Sequence, residues 1–252
     1  VNVLVLNGYS REVEGSDTVI LFIHGILGGP SHFDMFIPNV PDDWSICGIL
    51  LDGHGKGVED ISSTSMEKWK AQVADKISEL YLKYKNIIIA AHSMGTLFAI
   101  DAALKYPDKV KMLFLLAVPL RIFIKPIAAV NAYKVIFDRI KDGDVRALAA
   151  KDAYNVERDR RLWLYLGWIP RYLELFREMR RVKRVIRSLT VPCFAFQSSD
   201  DELVSKASKK YLFSNPNISC ELLEHSGHYY YESRDREFLI SRFSEECAAL
   251  CF

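Results

Sequence analysis

The chain has 252 residues, half of them apolar and 12% aromatic, enough to bury a large core in one domain or two small ones and to exclude a disordered polymer. A formal charge of +1 argues against a global footprint for nucleic acid, and no apolar run is long enough for a transmembrane segment. The five cysteines (Cys47, Cys193, Cys220, Cys247 and Cys251) are scattered without C-x-x-C spacing, which argues against a disulfide framework or a zinc site. With no secretion signal at the start, which is Val1, the expected location is a reducing cytoplasm.

Short apolar runs alternate with helical patterns. A strand is predicted over Thr18–Ile23, stopping at His24-Gly25, and another over Trp44–Leu51, ending at Asp52-Gly53-His54-Gly55. Met66–Tyr84 reads as a helix, with Trp69, Val73, Ile77, Leu80 and Tyr84 at helical spacing. The apolar run Asn86–Ala90 then leads into Ala91-His92-Ser93-Met94-Gly95, a helix over Met94–Lys105 and a strand over Val110–Val118. After an interruption the alternation resumes: strand Pro192–Gln197, helix Val204–Phe213, strand Ile218–Leu223 and helix Asp235–Leu250. Strands apolar on both faces and separated by helices imply an α/β fold with a mostly parallel sheet covered on each side. Functional groups of such sheets gather at the carboxyl ends of the strands, where His24, Asp52, Ser93, Asp201 and His228 all fall.

The stretch around Ser93 carries the most chemistry. A buried strand that turns at once into a helix thrusts the intervening serine outward, and positions 91 and 95 must be small because the two backbones approach closely. Ser93 itself is expected in a strained conformation. A serine hydroxyl needs a base, and the base needs an acid to orient it. His92 adjoins Ser93 and should point away from it. His24 and His54 belong to Gly-bearing loops that they would brace, while His32 could line a pocket. His225 and His228 flank Ser226-Gly227 after the last strand; His228, one residue past a glycine and before Tyr229-Tyr230-Tyr231, is the stronger base. The loop Ser198–Val204 offers Asp200, Asp201 and Glu202 as the acid. Asp201 is favoured because Val204, three positions on, can anchor the loop, with Asp200 as the runner-up.

Four motifs together resemble the α/β-hydrolase superfamily, in particular compact bacterial carboxylesterases and monoacylglycerol-lipase-like serine esterases. They are His24-Gly25-Ile26-Leu27-Gly28-Gly29, Asp52-Gly53-His54-Gly55, the serine turn with Ala91 in place of the usual Gly, and Ser226-Gly227-His228. The order Ser, Asp, His along the chain matches that superfamily. The resemblance also favours Asp201, the aspartate of a Gly-x-x-Asp-x-x-Val pattern in which Ser198 replaces the Gly. It implies a catalytic Ser93, Asp201 and His228, an oxyanion hole from the backbone N–H groups of Ile26 and Met94, and an acyl-enzyme route that needs no metal or organic cofactor.

Residues 120–189 interrupt the pattern with helical sequence and about half of the Lys and Arg residues. By the same resemblance they form a helical cap over a core made of 1–119 and 190–252. Leu27, Trp163 and Trp168 are candidates to line a pocket for an apolar acyl group. The run Arg177, Arg180, Arg181, Lys183, Arg184 and Arg187 reads first as a solvated helix face, with contact to an anionic substrate portion or acidic lipid as the sharper alternative. The expected activity is hydrolysis of short- or medium-chain esters or monoacylglycerol-like substrates. Thioester hydrolysis, acyl transfer or C–C bond cleavage on the same scaffold are the rivals, and a ligand-binding protein without catalysis is the alternative of another class.

Overall fold

The computed structural model describes residues 8–250; Cys251 lies outside them. The elements run β1 (Tyr9–Arg11), β2 (Thr18–Ile23), β3 (Ser45–Ile49), α1 (Val58–Ser63), α2 (Met66–Lys83), β4 (Asn86–His92), α3 (Met94–Lys105) and β5 (Val110–Leu116). They continue with α4 (Pro126–Ile136), α5 (Val145–Ala153), α6 (Ile169–Val185), β6 (Cys193–Ser198), α7 (Lys209–Leu212), β7 (Ile218–Leu223) and α8 (Ser233–Ala249). Among the described residues the strands form one seven-stranded sheet in the order β1-β3-β2-β4-β5-β6-β7, antiparallel only at β1.

The apolar runs form central strands because both faces of the sheet are covered. Alternate residues of β4 serve different cores. Ile87, Ile89 and Ala91 pack with Trp69, Val73 and Ile77 of α2 and with Leu97 and Ile100 of α3. Ile88 and Ala90 pack with Phe33, Phe36 and the α8 residues Leu239 and Phe243. Helix α2 starts at Ser65, whose side chain accepts the Lys68 N–H, and buries Met66, Trp69, Val73, Ile77 and Leu80, one stripe at three- and four-residue spacing.

Several boundaries differ from expectation for local reasons. The strand predicted over Trp44–Leu51 stops at Ile49, because the Leu51 N–H donates to His24 Nε2 and the Asp52 N–H to Gln72 instead of a neighbouring strand. The strand predicted to Val118 ends at Leu116, where Ala117 takes φ 54° and turns the chain. The predicted helix Val204–Phe213 is shortened to a 3-10 turn, Lys206–Ser208, and α7, since Val204 forms a bridge with Ile122 and Ser205 caps the turn. Strand β1, too short and polar to announce itself, pairs with the edge of β3.

The inserted segment is not uniform. Its first part, α4, α5 and a 3-10 stretch Leu162–Trp168, stands outside the two large cores, whereas α6 buries Leu175, Met179 and Val182 in the same core as α2 and α3. Helix α6 is tied there by Arg181, which pairs with both Asp101 of α3 and Glu178, and by Lys70 of α2, 2.7 Å from Glu178.

Candidate active site

The turn between β4 and α3 places Ser93 at φ 50° and ψ −121°, a conformation with a steric cost for any residue bearing a Cβ. Its main chain is fixed on both sides: the Ser93 N–H donates to Leu116 O at 2.9 Å, and Ser93 O accepts from Thr96 Oγ1 at 2.6 Å. Gly95 is obligatory because a side chain there would press into the carbonyls of Ile23 and His24. Gly25 has a matching constraint: a Cβ would lie 2.8 Å from Ser93 Cβ, so the loop after β2 lies directly against the serine.

That loop is braced by two buried neutral histidines. His24 accepts the Leu51 N–H through Nε2 and donates from Nδ1 to Gly25 O. His54 accepts the Leu27 N–H at Nε2 (3.2 Å) and donates from Nδ1 to Leu51 O. Burial drives the His24 pKa well below the ordinary value and lowers that of His54 to about 4. Leu27 sits at φ 65°, a second strained residue beside the site. Among the described residues no hydrogen bond within the protein takes the backbone N–H of Ile26 or of Met94, the first residue of α3.

The candidate base and acid come together at the ends of β7 and β6. Asp201 Oδ2 lies 2.8 Å from His228 Nδ1, with both side chains almost wholly buried. The carboxylate accepts a hydrogen bond from Nδ1–H, which in the neutral ring leaves Nε2 as the acceptor nitrogen. Asp201 Oδ1 accepts the Leu203 and Val204 N–H groups, each at 2.7 Å, so the loop itself orients the acid. Asp200 is exposed and paired with Arg146 of α5 at 2.9 Å, and His225 is exposed; neither the runner-up acid nor the second loop histidine reaches the site. The His92 ring is engaged by the main chain of His228. It donates from Nε2 to His228 O at 3.0 Å and stacks on His32 at 4.0 Å, with its pKa far below the ordinary value through burial. His32 borders a separate surface groove with Asp34 and Tyr231.

Glu202 has a role that the sequence did not reveal. Offered by the sequence as one of three candidate acids, it is buried, and its Oε2 accepts the His228 N–H at 2.7 Å rather than a ring nitrogen. Tyr229 reaches across to Ile26 O at 3.4 Å, and Asn155 ties the inserted segment to Leu27 O and, through its own carbonyl, to Gly55 N–H. All of these contacts join residues distant in sequence, so no local pattern could have signalled them.

A cavity of about 300 Å³ opens at this point. His228, Ile26 and Leu27 border it from the sheet side, and Ala128, Ala132, Val135, Trp168 and Tyr172 from the inserted segment. Of the expected pocket residues, Leu27 and Trp168 line it. Trp163 does not: its side chain is 66% exposed, because the 3-10 stretch turns Tyr165 and Trp168 inward instead. None of the six basic residues from Arg177 to Arg187 lines it. Arg181 is held in ion pairs, while Arg180, Lys183, Arg184 and Arg187 border a surface groove with Tyr211. Along α6, Arg184 lies roughly 18 Å from Tyr172 at the cavity. Among the described residues, no cluster of three or more His, Cys, Asp or Glu side chains is arranged to hold a metal ion.

Residues 18–155 match the α/β hydrolase fold family, more than half of the chain. The chain belongs to that family. A 2-(acetamidomethylene)succinate hydrolase of Mesorhizobium japonicum is 29% identical over 195 residues, covering 72% of this chain and 67% of that one. The thermostable monoacylglycerol lipase of Bacillus sp. strain H-257 is 23% identical over 244 residues, covering 92% and 91%. A shorter match, 28% over 105 residues, is to the probable lysophospholipase BODYGUARD 1 of Arabidopsis thaliana, of whose length the chain spans 22%. Among solved structures, a metagenome-derived lipolytic enzyme superimposes with a TM-score of 0.72 at 18% identity, over 95% of this chain and 97% of that one. The monoacylglycerol lipase of Paleococcus ferrophilus does so with 0.68 at 13% identity, over 96% and 98%. These structures share the fold, and family membership beside lipase and esterase relatives supports hydrolysis of an ester in broad terms.

Proposed function

We propose that the protein is a serine carboxylesterase in which Ser93, His228 and Asp201 act as nucleophile, base and orienting acid. The observation that carries this reading is the buried Asp201–His228 pair at the cavity, on a loop hydrogen-bonded to His92 next to a strained Ser93. In the first half-reaction Ser93 Oγ forms a bond to the ester carbonyl carbon while His228 Nε2 takes its proton. The alkoxide then leaves with that proton, and water repeats the sequence to release the acid and restore Ser93. The N–H groups of Ile26 and Met94 stabilise the oxyanion, each worth about 3 kcal/mol at the transition state. The cycle draws on these groups alone.

Within residues 120–189 the cap over the cavity consists of α4, α5, the 3-10 stretch and the start of α6. A cavity at the small end of the range for ligand sites, walled by Ala128, Ala132, Val135 and Trp168, suits one short- or medium-length acyl chain, as in a monoacylglycerol-like ester. It suits the dicarboxylate named for the Mesorhizobium relative poorly, since Arg158 at its edge is engaged by Val135 O and Asp138. The scattered cysteines, without C-x-x-C spacing, fit a reducing compartment such as the cytoplasm. The test is labelling by a fluorophosphonate probe together with turnover of a graded ester series. Wild type should label and hydrolyse, and Ser93→Ala should do neither; a Ser93→Ala variant with wild-type turnover refutes the assignment.

A further inference from the structure

Helix α6 treats its cations in two ways. Arg171 pairs with Glu174 at 2.7 Å, and Arg181 pairs with Glu178 and with Asp101 of α3. Arg180, Lys183 and Arg184, with Arg187 just past the helix end, form no ion pair with any described carboxylate. Their spacing of three, four and seven residues puts all four on one face, along about 10 Å of helix. Like charges at that spacing destabilise a helix that has no counter-ion for them. The helix dipole favours cations in the last turn, which accounts for Lys183 and Arg184 but not for Arg180 or for what stands opposite.

What stands opposite is basic as well. The four side chains border a groove of about 490 Å³, whose other wall is Tyr211 of α7 and Ser214 after it. Lys183 Nζ lies 3.7 Å from the centre of the Tyr211 ring, and Arg187 Nε donates to Ser214 Oγ at 3.4 Å. Lys183 holds the Tyr211 phenol pKa below its ordinary value, with smaller contributions from Arg121 and Lys210, which places both near the same wall. The main chain of Arg121 is bonded to Ser205 and Ser208, at the turn into α7. Residues 179–199 contain five Lys and Arg, and residues 203–220 contain three; neither segment contains an Asp or Glu. The two segments that form the groove therefore supply cations and no carboxylate at all.

Guanidinium groups take phosphate oxygens two at a time, and lysine and hydroxyl donors add single bonds. Four cations within about 10 Å exceed the charge of one phosphate and match several linked ones. We propose that the groove between α6 and α7 is a binding site for a linked polyphosphate group, held by Arg180, Lys183, Arg184 and Arg187 with Tyr211 and Ser214 as hydroxyl donors. The group is either the phosphate end of an acyl donor whose chain occupies the cavity or a separate small polyphosphate. Residues 121–124 run from the basic wall to the cavity, which Ile124 lines. Only the first source rests on the esterase reading, and the site itself does not require turnover.

The test measures binding of inorganic triphosphate and of monophosphate to the full chain by calorimetry, at physiological ionic strength. Arg184→Gln/Arg187→Gln is compared with wild type and with Lys56→Gln/Lys141→Gln, which removes the same charge from exposed positions elsewhere. Wild type should bind triphosphate at least about tenfold more tightly than monophosphate. The groove variant should lose at least about tenfold in triphosphate affinity, while the control stays within about twofold of wild type. No saturable triphosphate binding by wild type overturns the proposal. So does an equal loss in both variants, which would reduce the effect to net charge. Turnover of butyryl-coenzyme A and of a butyryl ester without phosphates separates the two sources. A KM raised several-fold in the groove variant for the coenzyme A thioester alone assigns the phosphates to the substrate. Unchanged KM for both compounds, with triphosphate binding lost, upholds the site for a separate ligand. Triphosphate binding by a wild type that turns over neither compound upholds the groove and refutes the esterase reading.

Discussion

Glu202 holds the main chain of His228: its Oε2 accepts the His228 N–H at 2.7 Å, across 26 positions of sequence. Its neighbour Asp201 holds the imidazole of the same residue. Two consecutive carboxylates therefore fix both the backbone and the ring of His228, and Arg146 of α5, 3.9 Å from Glu202 Oε1, connects the inserted segment to them.

Removing the backbone grip should loosen the proposed base, and because Glu202 also borders the cavity the kcat and KM effects are measured separately. In Glu202→Ala the buried His228 N–H loses its partner, at a cost of about 1–3 kcal/mol of stability. The displaced ring should lower kcat by roughly 10–100-fold. KM for a short ester should change little, since the variant affects the positioning of His228 more than ground-state binding. Glu202→Gln retains an acceptor oxygen and should recover most of kcat; a Gln variant as impaired as Ala would mean that the charge matters rather than the hydrogen bond.

Activity and stability should move in opposite directions at Ser93. Ser93→Gly removes both the nucleophile and the Cβ that makes φ 50°, ψ −121° costly. The strain relieved is about 1–3 kcal/mol, offset in part by the roughly 0.4–1 kcal/mol entropic advantage that glycine gives the unfolded chain. Thermal denaturation should show Ser93→Gly melting above Ser93→Ala, with both inactive. A lower Tm for the Gly variant would show that the turn is unstrained.

Acid should weaken the fold before most carboxylates titrate. The folded His54 pKa of about 4 lies below the ordinary value of 6.5, so above pH 6.5 the stability it contributes is fully present. As pH falls toward 4 the unfolded chain takes up a proton that the folded protein refuses, losing about 3 kcal/mol from this residue. His32, lowered by burial to about 3, adds to the same trend. Urea midpoints should be level from pH 8 to about 6.5, then fall between pH 6.5 and 4.5 in wild type and less steeply in His54→Gln. Parallel slopes would remove His54 from the account.

Chain-length selectivity should follow the wall formed by α4. Ala132 lines the cavity, and Ala132→Phe would fill part of its roughly 300 Å³. Turnover of acetyl and butyryl esters should persist, while kcat/KM for octanoyl and longer esters drops by about tenfold, of the order expected for excluding a few methylenes. Loss on all esters alike would place the acyl chain elsewhere.

The sequence by itself determined the parts that depend on near neighbours. Short apolar runs alternating with helical patterns marked strands β2 to β7, because a strand buried on both faces needs continuous hydrophobicity. The small residues around Ser93 disclosed the tight turn, since strand and helix backbones leave no room there. Tertiary structure decided what depends on distant segments meeting. It buried Asp201 against His228 and left Asp200 in solvent with Arg146, a choice that three adjacent carboxylates cannot express in their own order. It turned Trp168 into the cavity and Trp163 out of it, and it packed the body of α6 into the sheet core while leaving Tyr172 near its start at the cavity. Helical periodicity records which residues share a face, but which face meets the sheet, the cavity or the surroundings is set only when the helix packs.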